Sequence, residues 1–215
     1  MWTYWLVGQL DLPLVESATP TQRKLDGDKA RRIIEAMRAS VGLRGAAGST
    51  FDHVASEAGV SRGLLHYYFG SKEQLLVEVV RRDCDTRIAV LEQRFADADS
   101  AEAIVEVLLS QLRALLQDES QSVVYEVLSA SRRSDYIRDE LAEVYNRWRE
   151  HLADVLREKE RAGVIKPRAD AAAVAAVVLA LGDGFGLQLV SDPERDASEA
   201  LEVGITTVRW LLGAE

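Results

Sequence analysis

Apolar positions along this chain recur at intervals of three and four, the period of an amphipathic helix, and only 4 prolines interrupt them. The pattern predicts about nine helices and an all-α fold. The first covers about 26–43 and turns Ala30, Ile33, Ile34, Met37 and Val41 inward, with Gly42 and Gly45 ending it. A short helix over 50–58 places Phe51, Val54, Ala55 and Ala58 on one face, and another follows over 62–69. A long helix over 71–95 carries the stripe Leu76, Val79, Val80, Cys84, Ile88, Leu91 and Phe95. Further helices are expected over 101–117, 120–131, 135–162, 169–190 and 194–212. Pro193 after Asp192 reads as the first turn of the last one. No apolar run is expected to reach the length of a membrane span.

The densest information lies between 50 and 76. Ser49 or Thr50 is placed to cap the first short helix, and Asp52 stands three residues after Ser49, close to a capping box. Gly59 falls where that helix must stop, and glycine takes the left-handed conformation without a steric penalty. Val60 fills the angle, and Ser61 is placed to cap the next helix. Ser71-Lys72-Glu73-Gln74 is a capping box for the long helix that follows. Two short helices meeting at a Gly-Val-Ser corner form a helix-turn-helix, which sets its second helix in the major groove of DNA. Tyr67 lies off the apolar stripe beside His66 and Arg62, where a polar aromatic suits a phosphate or a base better than a core.

Charge changes the picture along the chain. The net charge of −9 argues against a general nucleic-acid binder. Residues 22–72, however, hold 9 Lys/Arg against 5 Asp/Glu, while residues 73–215 hold 17 against 28. A basic head on an acidic body orients on a phosphate backbone. The division expected is an N-terminal arm of unknown role over 1–22, a helix-turn-helix domain over 23–72, and an effector-binding and dimerisation domain over 73–215. The single cysteine, Cys84, allows no internal disulfide and suits a reducing, cytoplasmic setting. Enzymatic chemistry finds little footing. The three histidines are His53, His66 and His151, and no metal spacing, phosphate loop or nucleophile motif accompanies them. Gly182-Asp183-Gly184-Phe185-Gly186 is glycine-rich but lies inside a helix. The expectation is therefore a chain that is not an enzyme, with no cofactor and no metal.

Residues 30–76 resemble the DNA-binding domain of the tetracycline-repressor (TetR) family of transcriptional regulators. The likeness rests on Ile33-Ile34-Glu35-Ala36, Gly45, Ser49-Thr50-Phe51, Val54-Ala55, Ala58-Gly59-Val60-Ser61 and Tyr68 to Leu76. It implies a repressor that binds a palindromic operator as a homodimer and is released by a small-molecule effector, with no membrane partner. Ser49, Thr50, His66, Tyr67 and Lys72 are then expected at phosphates, with Ser61 also at the DNA. Arg62, Gly63 and Tyr67 are expected toward bases, with Arg62 the guanine candidate. The family often has Thr where this chain has Leu64 and Tyr where it has His66. Leu64 has no hydrogen-bond donor and His66 gains one on protonation, which predicts a thinner or pH-sensitive phosphate footprint.

The last two helices each carry two stripes. The small one, Ala175, Leu179, Gly182 and Gly186 with Ala200, Gly204, Thr207 and Leu211, reads as a two-fold four-helix interface. The resemblance implies the same mode of pairing. It also implies an effector site among the fourth to eighth helices. Polar or aromatic residues that interrupt apolar faces there are Cys84, Arg113, Tyr125, Glu126, Tyr145, Trp148, His151, Phe185 and Gln188. The alternative is a dimeric helical scaffold or small-molecule-binding protein with a vestigial DNA-binding head.

Overall fold

A computed structural model describes residues 27–117, 121–192 and 194–214, so the expected arm over 1–22 lies outside the described residues. Among those residues the regular structure is helical: α1 (Asp28–Gly48), α2 (Phe51–Ala58), α3 (Arg62–Phe69), α4 (Lys72–Ala96), α5 (Ala101–Gln117), α6 (Gln121–Ser131), α7 (Asp135–Arg161), α8 (Ala171–Ser191) and α9 (Ser198–Leu212). Local chemistry sets most ends. The Ser71 hydroxyl accepts from the Gln74 amide while the Gln74 side chain accepts from the Ser71 amide, which completes the expected capping box of α4. Ser134 caps α7 and Asp170 caps α8 in the same manner.

The first helix is interrupted at Gly45 as expected, where φ is +68°, a value no L side chain adopts cheaply, and a further turn then reaches Gly48. Two other expectations about ends are corrected. Ser61 makes no side-chain cap on α3. The last helix begins at Ser198 and not near 194, because α8 closes at Asp192 and the Arg195 amide then turns back to the Asp192 carbonyl.

Two apolar cores are built from these helices. The first joins Ile33, Ile34 and Met37 of α1, Val54 of α2, Leu65 and Phe69 of α3, Leu75, Leu76, Val79 and Val80 of α4, Val123 and Val127 of α6 and Ile137, Leu141 and Val144 of α7. The second joins Leu91 and Phe95 of α4, Ile104 and Val105 of α5, Leu152 and Leu156 of α7, Val174 and Ala175 of α8 and Leu212 of α9. Each fully buried Leu, Ile or Phe contributes about 1.5–3 kcal/mol of apolar burial. α4 and α7 run through both cores, and Trp148 of α7 packs against each of them. Ion pairs lace α4 sideways: Arg81 to Glu140 and Asp85 to Arg147 reach α7, and Asp83 reaches Arg38 of α1.

α8 overturns the expectation about apolar runs. It is the one helix among the described residues that is long and apolar enough to cross a membrane by length and composition. Its inner face packs into the second core through Val174 and Ala175, while Val177, Leu187 and Val190 point outward.

Candidate nucleic-acid interface and effector cavity

The helix-turn-helix is assembled as the sequence pattern requires. Thr50 accepts the His53 amide at 3.3 Å and starts α2. Gly59, at φ 64° and ψ 40°, ends it in the left-handed conformation, and the Val60 amide returns to the Ala55 carbonyl at 3.0 Å. Leu65 and Phe69 anchor α3 in the first core, which leaves Ser61, Arg62, Gly63, His66 and Tyr67 on an exposed face. Thr50 and Arg62 also lie open, and the Arg62 guanidinium pairs with Asp52 of α2 at 3.1 Å. Both partners keep well over half of their surface, so this pair is worth ~0–1 kcal/mol and yields readily to a base.

Other expected contacts are occupied within the chain. Ser49 is fully buried and its hydroxyl donates to the Gly45 carbonyl at 2.9 Å, so it braces the α1 break and neither completes a capping box nor faces solvent. Lys72 donates from Nζ to the Ala46 carbonyl at 2.9 Å, tying the start of α4 to the same break. The His66 ring packs edge-on to Phe51, and its Nδ1 meets the Gly70 carbonyl at 3.0 Å, which fixes the hydrogen on Nδ1. A neutral His66 therefore offers a phosphate only an Nε2 lone pair, and protonation replaces that lone pair by a donor.

Where the two cores meet, a cavity of about 180 Å³ opens between α4, α5, α7, α8 and α9. An engineered apolar cavity of roughly 150 Å³ takes up benzene, so this space suits a small organic molecule. Apolar side chains form most of its wall. Of the residues singled out in the sequence, Cys84, Tyr145, Trp148 and Phe185 line it. The rest of that set lies elsewhere. Tyr125 stands beyond the wall, near enough to Asp183 and Tyr145 to feel their charge. Arg113 is exposed beside Glu106, Glu126 approaches Gly45 in the head, His151 stands 3.7 Å from Glu92, and Gln188 accepts from Arg195. These polar residues interrupt apolar stretches in sequence, but on their helices they fall outside the arc that faces the cavity.

Sequence reasoning missed Asp83, Arg87, Gln111 and Asp183, which line the cavity. Two signals were available. Val80, Asp83, Arg87 and Leu91 follow helical spacing along the inner arc of α4, and Asp183 is the lone acid of an otherwise apolar α8. The Tyr145 hydroxyl donates to the Asp183 carboxylate. Asp183 keeps solvent-exposed surface, yet the atoms packed around its carboxyl raise it above the ordinary range, against the pull of Tyr145 and Arg87. Tyr145 is raised by burial first and then by the Asp183 charge. Burial pushes the Cys84 thiol up to about 11.

The small stripe of α8 and α9 does not stand apart from the core as expected. Ala175 and Gly186 are buried, Leu179 and Leu211 pack on the second core, and a Cβ at Gly204 would come within 3.0 Å of Phe185. Glycine at 204 is what lets the Phe185 ring approach α9 this closely. Ala200 and Thr207 do face outward. The outward apolar face is instead Val177, Leu187 and Val190 of α8 with Val203 and Trp210 of α9.

Comparison with known proteins agrees with this geometry. A family model described as "Bacterial regulatory proteins, tetR family" matches residues 33–79. A second, "BetI-type transcriptional repressor, C-terminal", matches residues 97–212. The transcriptional regulator BetI of Rhizobium meliloti is 30% identical over 171 residues, 77% of this chain and 76% of that protein. The match to BetI of Agrobacterium fabrum is stronger but short: 42% over 53 residues, 25% of this chain and 26% of that protein. Among solved structures, a transcriptional regulator from Saccharomonospora viridis in complex with choline superposes with a TM-score of 0.64. It is 27% identical, and the match covers 83% of this chain and 92% of that one.

Proposed function

This chain belongs to the TetR family of bacterial transcriptional regulators and carries a BetI-type C-terminal region, and from that premise we propose how its parts divide the work of a ligand-responsive repressor. Two copies pair through the outward faces of α8 and α9. The heads, α1 to α3, then enter successive major grooves of an inverted repeat, one helical turn (~34 Å) apart or a multiple of it. Arg62 reads guanine from the start of α3, Gly63 lets the backbone approach the base edges, and Thr50, Ser61, Tyr67 and His66 contact phosphates or bases beside it. Lys72 does so once its bond to Ala46 is exchanged for the DNA. The cavity between α4 and α9 receives the effector, and its occupation favours a body whose heads no longer fit the half-sites. In this reading the chain binds and releases, and carries out no reaction.

The observation that carries the reading is the pairing of an exposed helix-turn-helix face with a mostly apolar cavity on the same helix-linked frame. The chemistry of the wall favours an effector with a basic or quaternary nitrogen on an apolar body. Two carboxylates, Asp83 and Asp183, line it against one guanidinium, Arg87, together with the Tyr145, Trp148 and Phe185 rings, and aromatic rings attract cations. The choline complex of the Saccharomonospora viridis protein supports the same class.

Selection of bound sequences from a random duplex pool tests the whole. The recovered motif should be two-fold symmetric, and affinity should fall steeply and log-linearly with salt. Recovery of an asymmetric site, or binding indifferent to salt, defeats the proposal. Titration of the purified protein with choline and hexyltrimethylammonium tests the effector class separately.

A further inference from the structure

Given the repressor reading above, an occupied cavity must be felt by the head, and one ion pair joins the two. Asp83 lies midway along α4 and lines the cavity. The same carboxylate also holds the guanidinium of Arg38, a residue of α1 in the head, 45 positions earlier. The other arm of that guanidinium is held by Glu35, so its orientation is fixed from both sides. The pair is well screened from water, with the Arg38 and Asp83 side chains keeping 25% and 13% of their surface. Other cross-helix pairs of α4, among them Arg81 to Glu140 and Asp85 to Arg147, bind it to α7 within the body. Arg38 to Asp83 binds it to the head.

A carboxylate shared between a guanidinium outside and a ligand inside cannot hold both at full strength. Charges shielded from water feel each other more strongly than exposed ones, so a cation arriving in the cavity competes with Arg38 for Asp83. Such a ligand has different affinities for the paired and unpaired arrangements, which is the condition for shifting an equilibrium. We propose that the Arg38–Asp83 ion pair is the contact through which the cavity governs the head. With the cavity empty it locks α1 against α4 in the arrangement that fits DNA, and a ligand that engages Asp83 from inside releases it. Arg38 and Asp83 are positioning residues here, since neither touches DNA.

The full chain with its selected operator tests this without knowledge of the natural effector. Asp83→Asn and Arg38→Gln should each mimic the occupied state and lower operator affinity about tenfold, with the double variant no weaker than either single one. Arg38→Lys, which keeps the charge, should recover part of the loss. A structural defect alone would not move the second readout. Adding operator to the unmodified protein should slow hydrogen exchange of the α4 amides 83–91, and in Arg38→Gln it should leave them unchanged. Choline and hexyltrimethylammonium should each lower operator affinity of the unmodified chain about tenfold and that of Asp83→Asn less than twofold. The relay is overturned if the single variants bind within about twofold of the unmodified chain, if their losses add in the double variant, or if Arg38→Gln transmits operator binding to 83–91 undiminished. Failure of both probes to bind sinks the cationic-effector reading, while the double variant and the exchange data still decide the relay. A chain that binds no duplex at all overturns the repressor reading and the relay together.

Discussion

Arg62 is the residue on which sequence discrimination turns, and it is held by Asp52 before DNA arrives. The pair is exposed and weak, so the base contact decides. Arg62→Ala should relax preference at one position of each half-site by ~1–3 kcal/mol, read as the ratio of affinities for the selected site and its single-base variants. Equal losses on specific and random duplexes remove Arg62 from that role. Lys72→Ala should weaken all sequences alike and reduce the salt slope by about one ion. At His66 the Nδ1 is committed to Gly70, so the ring has only its Nε2 left for a phosphate. At Cys84, buried with its thiol near 11, the reactive thiolate is scarce at neutral pH. Alkylation by iodoacetamide should be slow and rise close to tenfold per pH unit between about 7 and 9.5, and a ligand in the cavity should slow it further. A rate that plateaus near neutral pH contradicts the apolar setting.

Among the elements, helix ends are where local sequence and tertiary contact divide responsibility. Gly59 and Gly213 both have positive φ, at 64° and 77°. At Gly59 an added Cβ meets nothing within 4 Å, so Gly59→Ala should cost only the conformational strain, ~1–2 kcal/mol. At Gly213 the same atom would sit 2.2 Å from the Lys166 carbonyl oxygen, where the 166–168 segment bonds back to Leu212 and Leu211. Gly213→Ala should therefore cost more than Gly59→Ala and displace the end of α9, measured as the difference in urea midpoint at constant slope. The Gly59 signal was legible in the sequence because it belongs to one helix and its neighbour. The Gly213 contact was not, because Lys166 approaches it from 47 positions away.

The whole molecule is organised by α4 and α7, which pass through both cores and frame the cavity where those cores meet. The face that remains for a partner carries Val177, Leu187 and Val190 on α8 and Val203 and Trp210 on α9, all exposed in the single chain. A run of apolar side chains on two adjacent helices is the kind of surface that a second copy buries. Val203 is 63% exposed, so Val203→Asp should leave the fold of each chain intact. The same change should shift the protein from dimer to monomer in light scattering and abolish operator binding with it. A dimer unchanged by Val203→Asp places the interface elsewhere.

The sequence by itself determined the helical class, the positions of most helices, the helix-turn-helix corner and its exposed reading face. Each is fixed by periodicity, caps and a left-handed glycine, which act within a few residues. Tertiary structure alone decided which polar groups share a cavity, which stripe of α8 and α9 is left outside, and that Ser49 is a brace and not a contact. Those outcomes depend on the rotation of one helix against another. Turning α8 roughly halfway about its axis would exchange Asp183 for Gln188 at the cavity, and Val177 for Ala175 at the surface, without altering the spacing in the chain.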